Sequence, residues 1–270
     1  MTTSADDIWN TIRTEASAII DSEPALASFF YAAILKHDAL AEAMSFALAA
    51  KLGSKNLPTM LLQELIDDIL RQEPSLIGTI AADIQAWRER DPACNQFSQP
   101  LLYFKGFHAL ESYRVAHYLW SQGREFLALH LQNKISQSFG VDIHPAAQLG
   151  HGIMIDHATS LVIGETSVLG NNISLLHSVT LGGTGCEQGK RHPTVDDGVL
   201  ISVGAKLLGN IHVGEGAKIA AGSVVLSDVP AHVTVAGVPA KAIGASRGEM
   251  PAISMQQFWE KLNCDDNNDS

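Results

Sequence analysis

From Ile143 to Val225 a branched aliphatic residue recurs every six positions, with only two slips. The runs are Ile143, Leu149, Ile155, then Ile163, Leu169, Leu175, Leu181, then Val195, Ile201, Leu207, Val213, Ile219, Val225. An amphipathic helix repeats at about 3.6 residues and a half-buried strand at about 2, so neither produces this pattern. Hexapeptide repeats predict a parallel β-helix, each hexad giving one short strand and one turn. Three hexads close a triangular coil, so that residues about eighteen apart stack at roughly 4.8 Å, the spacing of paired strands. Such a ladder is buried only when repeats stack. Gly and Asn at the corners supply the left-handed backbone that tight turns need.

The rest of the chain divides around this block. Residues 1–139 read as an all-helical domain. Ile8, Ile12, Ala16 and Ile19 or Ile20 share a helical face, and Glu23-Pro24 breaks it. Further helices are expected over 25–36, 40–52, 60–71, 76–90 and 107–122, with a last one to about 137. Phe139-Gly140-Val141-Asp142 is the switch into the coil, which spans 140–245. Residues 246–270 lose the period and end Cys-Asp-Asp-Asn-Asn-Asp-Ser, so they read as a flexible tail. The fold class is therefore α+β: helices first, then hexapeptide coils with an extruded loop.

Composition excludes several functions. A formal charge of −11 argues against nonspecific nucleic-acid binding. No apolar stretch approaches the ~20 residues of a membrane span. The start lacks the basic and apolar regions of a signal peptide. Cys94, Cys186 and Cys264 are odd in number and widely spaced, so neither a disulfide framework nor a CxxC zinc site is indicated. A cytoplasmic location follows as the expectation.

The two slips in the ladder attract the chemistry. Between Ile155 and Ile163 the step is eight, and it carries Asp156-His157. Asp142 lies fifteen residues before His157, so the two are expected on successive levels near one corner. A His held by an Asp suits general-base catalysis. His144, His151, His177 and His212 are weaker candidates. Between Leu181 and Val195 the step is fourteen, which extrudes a loop holding Gly183, Thr184, Cys186 and Lys190-Arg191-His192. A carboxylate or phosphate is the natural ligand of that cationic cluster, since Arg grips a carboxylate through two parallel hydrogen bonds.

Several segments resemble bacterial serine O-acetyltransferases, within the hexapeptide acyltransferase superfamily. They are Asp-Ile-His-Pro (142–145), Ile-Asp-His-Ala (155–158), Ile-Gly-Glu-Thr (163–166), Ser-Val-Thr-Leu-Gly-Gly-Thr-Gly (178–185), Arg-His-Pro (191–193) and Ala-Gly-Val-Pro-Ala (236–240). Arg-Asp-Pro-Ala (90–93) and the long helical region point to the serine enzyme in particular. The resemblance implies left-handed coils and transfer of acetyl from acetyl-CoA, a co-substrate, to L-serine, the first step of cysteine biosynthesis. It implies His157 as base, Asp142 as its orienter, Asp91 and Asp156 as contacts to the amino acid, and Arg191 beside His192 as the carboxylate site. Acetyl-CoA is expected between neighbouring subunits near Gly183, Thr184, Val203, Lys218, Gly237 and Lys241. No metal is implied. Feedback inhibition by L-cysteine and a homohexamer built as a dimer of trimers are further expectations.

Two departures and two alternatives accompany that reading. Ser202-Val203 stands where the family usually has Gly-Ala, and the end at Ser270 lacks the terminal Ile that inserts into O-acetylserine sulfhydrylase, so that complex is expected to be weak or absent. Cys186 lies in the loop without a family counterpart, and direct transfer leaves it no covalent role. One alternative is acetylation of another small hydroxyl substrate, on a sugar or an antibiotic. Another is a γ-type carbonic anhydrase, with zinc on His157, His177 and His192.

Overall fold

The structure is a computed structural model that describes residues 4–185, 188–246 and 250–255. Eight helices precede the coil: α1 (Ala5–Ser22), α2 (Ala27–Phe30, continued by a π-helical turn at Tyr31–Leu35), α3 (Leu40–Leu52), α4 (Thr59–Gln72), α5 (Ser75–Arg90), α6 (Ser98–Tyr103), α7 (Lys105–Ser121) and α8 (Glu125–Phe139). The predicted α1 face is the buried one, with Ile8, Ile12 and Ala16 inward. The Ser4 hydroxyl caps this helix by accepting from the Asp7 amide at 3.1 Å. Helix α6 was not foreseen: six residues around Pro100 are too few to set a period. Gly140 closes α8 in the left-handed conformation, φ 66°, and the coil begins one residue later.

The coil has three flat sides. The first stacks Val141–Ile143, Leu161–Ile163, Thr180–Gly182, Lys206–Leu208 and Val224–Val225 in parallel. The second stacks Gln148–Leu149, Val168–Leu169, Thr194–Val195 and His212–Val213. The third runs from Met154–Ile155 through Ser174–Leu175, Leu200–Ile201 and Lys218–Ile219 to Val233–Gly237, and Ala240–Ala245 adds an antiparallel edge. Every ladder residue named above is buried except Leu149, which is half-buried.

Register absorbs both slips. Regular coils pair residues eighteen apart, as Val195 with Val213 and Ile201 with Ile219. Across the eight-residue step the offset is twenty, as Ile155 with Leu175. Across the loop it is twenty-six, as Leu169 with Val195. The extra residues thus leave the wall without disturbing the stack.

Helix α7 joins the two parts. The Tyr113 hydroxyl donates to the Ala147 carbonyl, and Arg114 Nη2 donates to the Gly150 carbonyl at 2.9 Å. Arg114 also holds Asp83 of α5 through Nη2 at 2.5 Å and Nε at 3.0 Å, while Asp83 Oδ1 accepts from the Ile153 amide at 2.7 Å. Glu111 is buried beside Asp83 and lies 3.4 Å from Arg114 Nε. Two acids therefore share one guanidinium in the interior. Desolvation, together with the Asp83 charge, pushes the Glu111 carboxyl well above its usual range.

At its start α7 touches the coil backbone. A Cβ on Gly106 would lie 1.9 Å from the Ile155 carbonyl oxygen, so no side chain fits without moving helix or coil. Gly106→Ala is expected to cost about 3 kcal/mol, the upper end for overpacking. Thermal unfolding followed by circular dichroism checks this; an unchanged midpoint would show that the helix is free to slide.

The predicted tail departs from expectation in part. A short helix α9 (Pro251–Ser254) lies back on the third side. The Ala252 amide donates to the Gly198 carbonyl at 3.2 Å, and Pro251 and Ala252 are buried. One turn is too short to show a period, yet its small apolar residues cover the coil. Cys186 and the acidic end, with Cys264 and Ser270, lie outside the described residues.

Candidate active site

The eight-residue step folds into a turn at the corner between the third and first sides. His157, Ala158 and Ser160 take left-handed backbone angles, φ 55°, 57° and 63°. Three non-glycine residues in that region mark stored strain, which concentrates at functional sites. The turn is held from outside. The Ser160 amide donates to the Gly140 carbonyl at 2.8 Å, and Lys105 Nζ donates to Thr159 Oγ1.

The turn presents His157 to solvent, its side chain 73% exposed, with Nε2 3.6 Å from Asp156 Oδ2. His177, one coil on, meets it edge to face with ring centroids 5.7 Å apart. The His177 Nδ1 atom is buried and has no hydrogen-bond partner among the described residues. Beside them opens a cleft of about 350 Å³ lined by Trp87, Asp91, Tyr103, Phe104, Asp156 and His157 among others. Asp91 ends α5 in extended backbone, and its Oδ1 accepts from the Ala93 amide at 2.8 Å. Burial pushes the Asp156 carboxyl up, with Asp91 adding to the shift and His157 opposing it. Asp91, Asp156 and His157 thus line one cleft.

Arg191 and His192 stand at a different corner, between the first and second sides. The offset of twenty-six puts them against Glu165 and Thr166 one coil earlier. Arg191 Nη2 pairs with Glu165 Oε2, and this contact holds the Glu165 carboxyl below its usual range. Thr166 Oγ1 accepts from the Arg191 and His192 amides at 3.0 and 3.1 Å. His192 Nδ1 accepts from the Thr166 amide at 3.2 Å, which assigns the ring proton to Nε2. The ring packs over Gly164, where a Cβ would lie 2.1 Å from Nε2, and Gly183 lies beyond it, with the same distance at 3.5 Å. Burial, then the neighbouring Arg191 cation, lowers the His192 pKa.

Asp142 does not share the corner of His157. Asp142 sits at the middle of the first side, paired with Val162 twenty residues on, so His157 falls five residues short of a full coil from it. Its Oδ1 accepts from Gln132 Nε2 at 2.7 Å, and among the described residues no hydrogen bond or ion pair joins it to His157. His157, His177 and His192 do not converge within one chain either, since His192 is bound at the other corner.

The residues expected near acetyl-CoA are spread along the coil. The Val203 carbonyl accepts from the Gly222 amide at 2.8 Å, and Val203 is half-buried. Lys218 is 5% exposed on the third side, and burial lowers its pKa. Gly237 and Lys241 sit on the terminal hairpin, and Thr184 packs against Gly209. Sequence reasoning gave no role to Glu165 or Thr166 and set His177 among the weaker candidates. The register offsets of twenty-six and twenty would have placed all three.

Residues 8–112 match the family model described as serine acetyltransferase, N-terminal. The serine acetyltransferase of Escherichia coli (strain K12) is 53% identical, over 95% of this chain and 94% of that protein. A serine acetyltransferase solved in complex with cysteine has 54% identity and a TM-score of 0.93, covering 95% of this chain and all of the other. The Brucella abortus strain S19 protein, solved with coenzyme A, gives 50% identity and a TM-score of 0.87 over 88% and 96%. That of Neisseria gonorrhoeae, solved with serine, gives 53% and 0.85 over 87% and 97%. The chain, a helical region followed by a parallel β-solenoid, belongs to the serine acetyltransferase family.

Proposed function

We propose that the chain transfers the acetyl group of acetyl-CoA to the hydroxyl of L-serine, with His157 as general base. The observation that carries this is the strained turn that exposes His157 beside Asp156 and Asp91. The substrate has an ammonium, a carboxylate and a hydroxyl. Asp91 and Asp156 offer anionic partners for the first, Arg191 with His192 a cationic partner for the second, and the imidazole takes the proton of the third.

His157 Nε2 removes the hydroxyl proton as the serine oxygen attacks the thioester carbon. The tetrahedral adduct then expels the CoA thiolate, which recovers that proton from the imidazolium. The adduct's oxyanion needs a hydrogen-bond donor. Because Asp142, Arg191 and His192 lie away from His157 in one chain, they act on it from a second copy, across the flat sides of a trimer. Two trimers join through the helical domains, and the enzyme works in the cytoplasm. Acetyl-CoA lies between neighbouring copies, along Gly183, Thr184, Val203, Lys218, Gly237 and Lys241.

L-cysteine differs from serine by sulfur for oxygen, so it occupies the same charged contacts and inhibits. Relatives solved with serine, cysteine and coenzyme A support these ligands.

The test is thiol release from acetyl-CoA. Arg191→Ala is expected to raise KM for serine by about a hundredfold, the scale of a lost charge-assisted hydrogen-bond pair, with little change in KM for acetyl-CoA. Oligomers mixed from His157→Ala and Arg191→Ala chains are expected to regain, at serine concentrations near the wild-type KM, activity that neither variant shows there alone. Serine-independent turnover would overturn the substrate, and failure of the mixed oligomers would overturn the shared site.

A further inference from the structure

We propose that Arg90 is a positioning residue for the substrate contact: it clamps the end of α5 to the second coil and so sets where Asp91 stands in the cleft. This rests on the reading of Asp91 as a contact to the amino acid.

Arg90 is the last residue of α5 and is 4% exposed. Its Nη1 donates to the Ile173 carbonyl at 3.3 Å and to Ser174 Oγ at 3.1 Å, and Nη2 donates to Asn172 Oδ1 at 3.3 Å. All three acceptors are neutral, and among the described residues Arg90 forms no ion pair. Burying a cation with no carboxylate in contact is costly, and desolvation pulls the Arg90 pKa down to about 10 against the opposing charges of Glu89 and Asp83. An apolar residue would fill the space at lower cost. What the guanidinium adds is a rigid planar fork that fixes direction as well as distance.

The acceptor side is also prepared. Ser174 Oγ donates its proton to the Ala252 carbonyl at 2.8 Å, which leaves its lone pairs for Arg90. The returning segment 250–255 thereby orients the hydroxyl that Arg90 grips. Asp91 follows by one peptide bond, at φ −96° and ψ 111°, where the chain leaves the helix. Its amide still donates to the Trp87 carbonyl at 3.0 Å, so Asp91 moves with the helix end. Its carboxylate is close enough to raise the Asp156 pKa. A shift of the clamp therefore passes directly to the group facing the substrate, and a misplacement of about 1 Å at a reacting site is enough for a hundredfold loss.

Steady-state kinetics on the full chain with both substrates test this, with Arg90→Gln, Arg90→Lys, Ser174→Ala, Asp91→Asn and the double variant Arg90→Gln/Asp91→Asn. Arg90→Gln is expected to raise KM for serine by about tenfold or more, with KM for acetyl-CoA within about twofold. Arg90→Lys is expected to recover part of the loss, since it keeps the charge but not the fork. The double variant is expected to be no worse than Asp91→Asn alone, because both act through one contact. If Arg90→Gln does not fold, Ser174→Ala carries the test with a smaller rise in the same constant. Additive losses, or equal changes in both KM values, would overturn the positioning role. A serine effect from Asp91→Asn but none from the Arg90 or Ser174 variants would overturn it while leaving the proposed function intact. Indifference of Asp91→Asn itself would remove the substrate role of Asp91 and this inference with it.

Discussion

His157→Asn is expected to lower kcat for serine acetylation by about 10²- to 10⁴-fold, the usual contribution of a positioned general base. KM for serine should change little, because the imidazole acts on the proton in the transition state and the charged contacts lie elsewhere. Asn is the replacement of choice because His157 has φ 55°, a backbone region that Asn tolerates better than most residues. The melting temperature should therefore hold, since the side chain is largely exposed and its neighbours are Asp156 and His177. Activity above about a tenth of wild type, below any plausible base contribution, would remove His157 from the mechanism. A fall in activity matched by a fall in melting temperature would assign the effect to the turn instead.

The second large effect concerns stability. Arg114→Met is expected to cost about 3–5 kcal/mol, because it leaves the buried Asp83 carboxylate without its counter-charge. Adding Asp83→Asn should recover part of that loss: it removes the charge yet keeps an acceptor for the Ile153 amide. Denaturant unfolding of the two variants decides the matter, and equal stabilities would mean that Asp83 is not ionised in the fold.

Glu111 supplies a pH test with a definite sign. Its folded-state pKa is raised well above the ordinary 4.5, chiefly by desolvation. Below the unfolded pKa both states are protonated and the full stability is present. As pH rises through the folded pKa that stability is lost, since ionisation is easy only in the unfolded chain. Glu111→Gln is thus expected to match wild type near pH 4.5 and to exceed it increasingly toward pH 8, in melting temperature by circular dichroism. A difference that stays flat with pH would refute the buried proton.

What could be read from the sequence depended on periodicity. The ladder residues repeat, so their inward direction and the two slips were visible at once. Asp91, Asp156 and His157 meet because the helical region docks on the first coils, and only the resemblance linked Asp91 to the other two. The expected shared corner for Asp142 and His157 failed because fifteen residues fall short of the twenty that this coil spans, a difference hidden by an average period. The triad of Asp83, Glu111 and Arg114 was invisible, since each residue alone looks like an ordinary charged helix position and only packing of α5, α7 and the coil makes them a unit. Helix α6 and the return at Pro251–Ser254 were missed because one turn or two leaves no repeat to detect.

The register offset of twenty-six carries one further consequence. Since Leu169 and Val195 pair in register just as Val195 and Val213 do, the wall does not record how much chain passed between its rungs. Loop length is thereby uncoupled from scaffold stability, and closing a longer excursion adds only about 0.6 kcal/mol per doubling. Between Gly182, which still pairs with Leu208, and Arg191, whose amide is held by Thr166, the excursion can be shortened, extended or exchanged while the neighbouring rungs stay in place. Selection for a new hydroxyl acceptor would then act on this excursion first, much as a tool head is changed on a fixed handle.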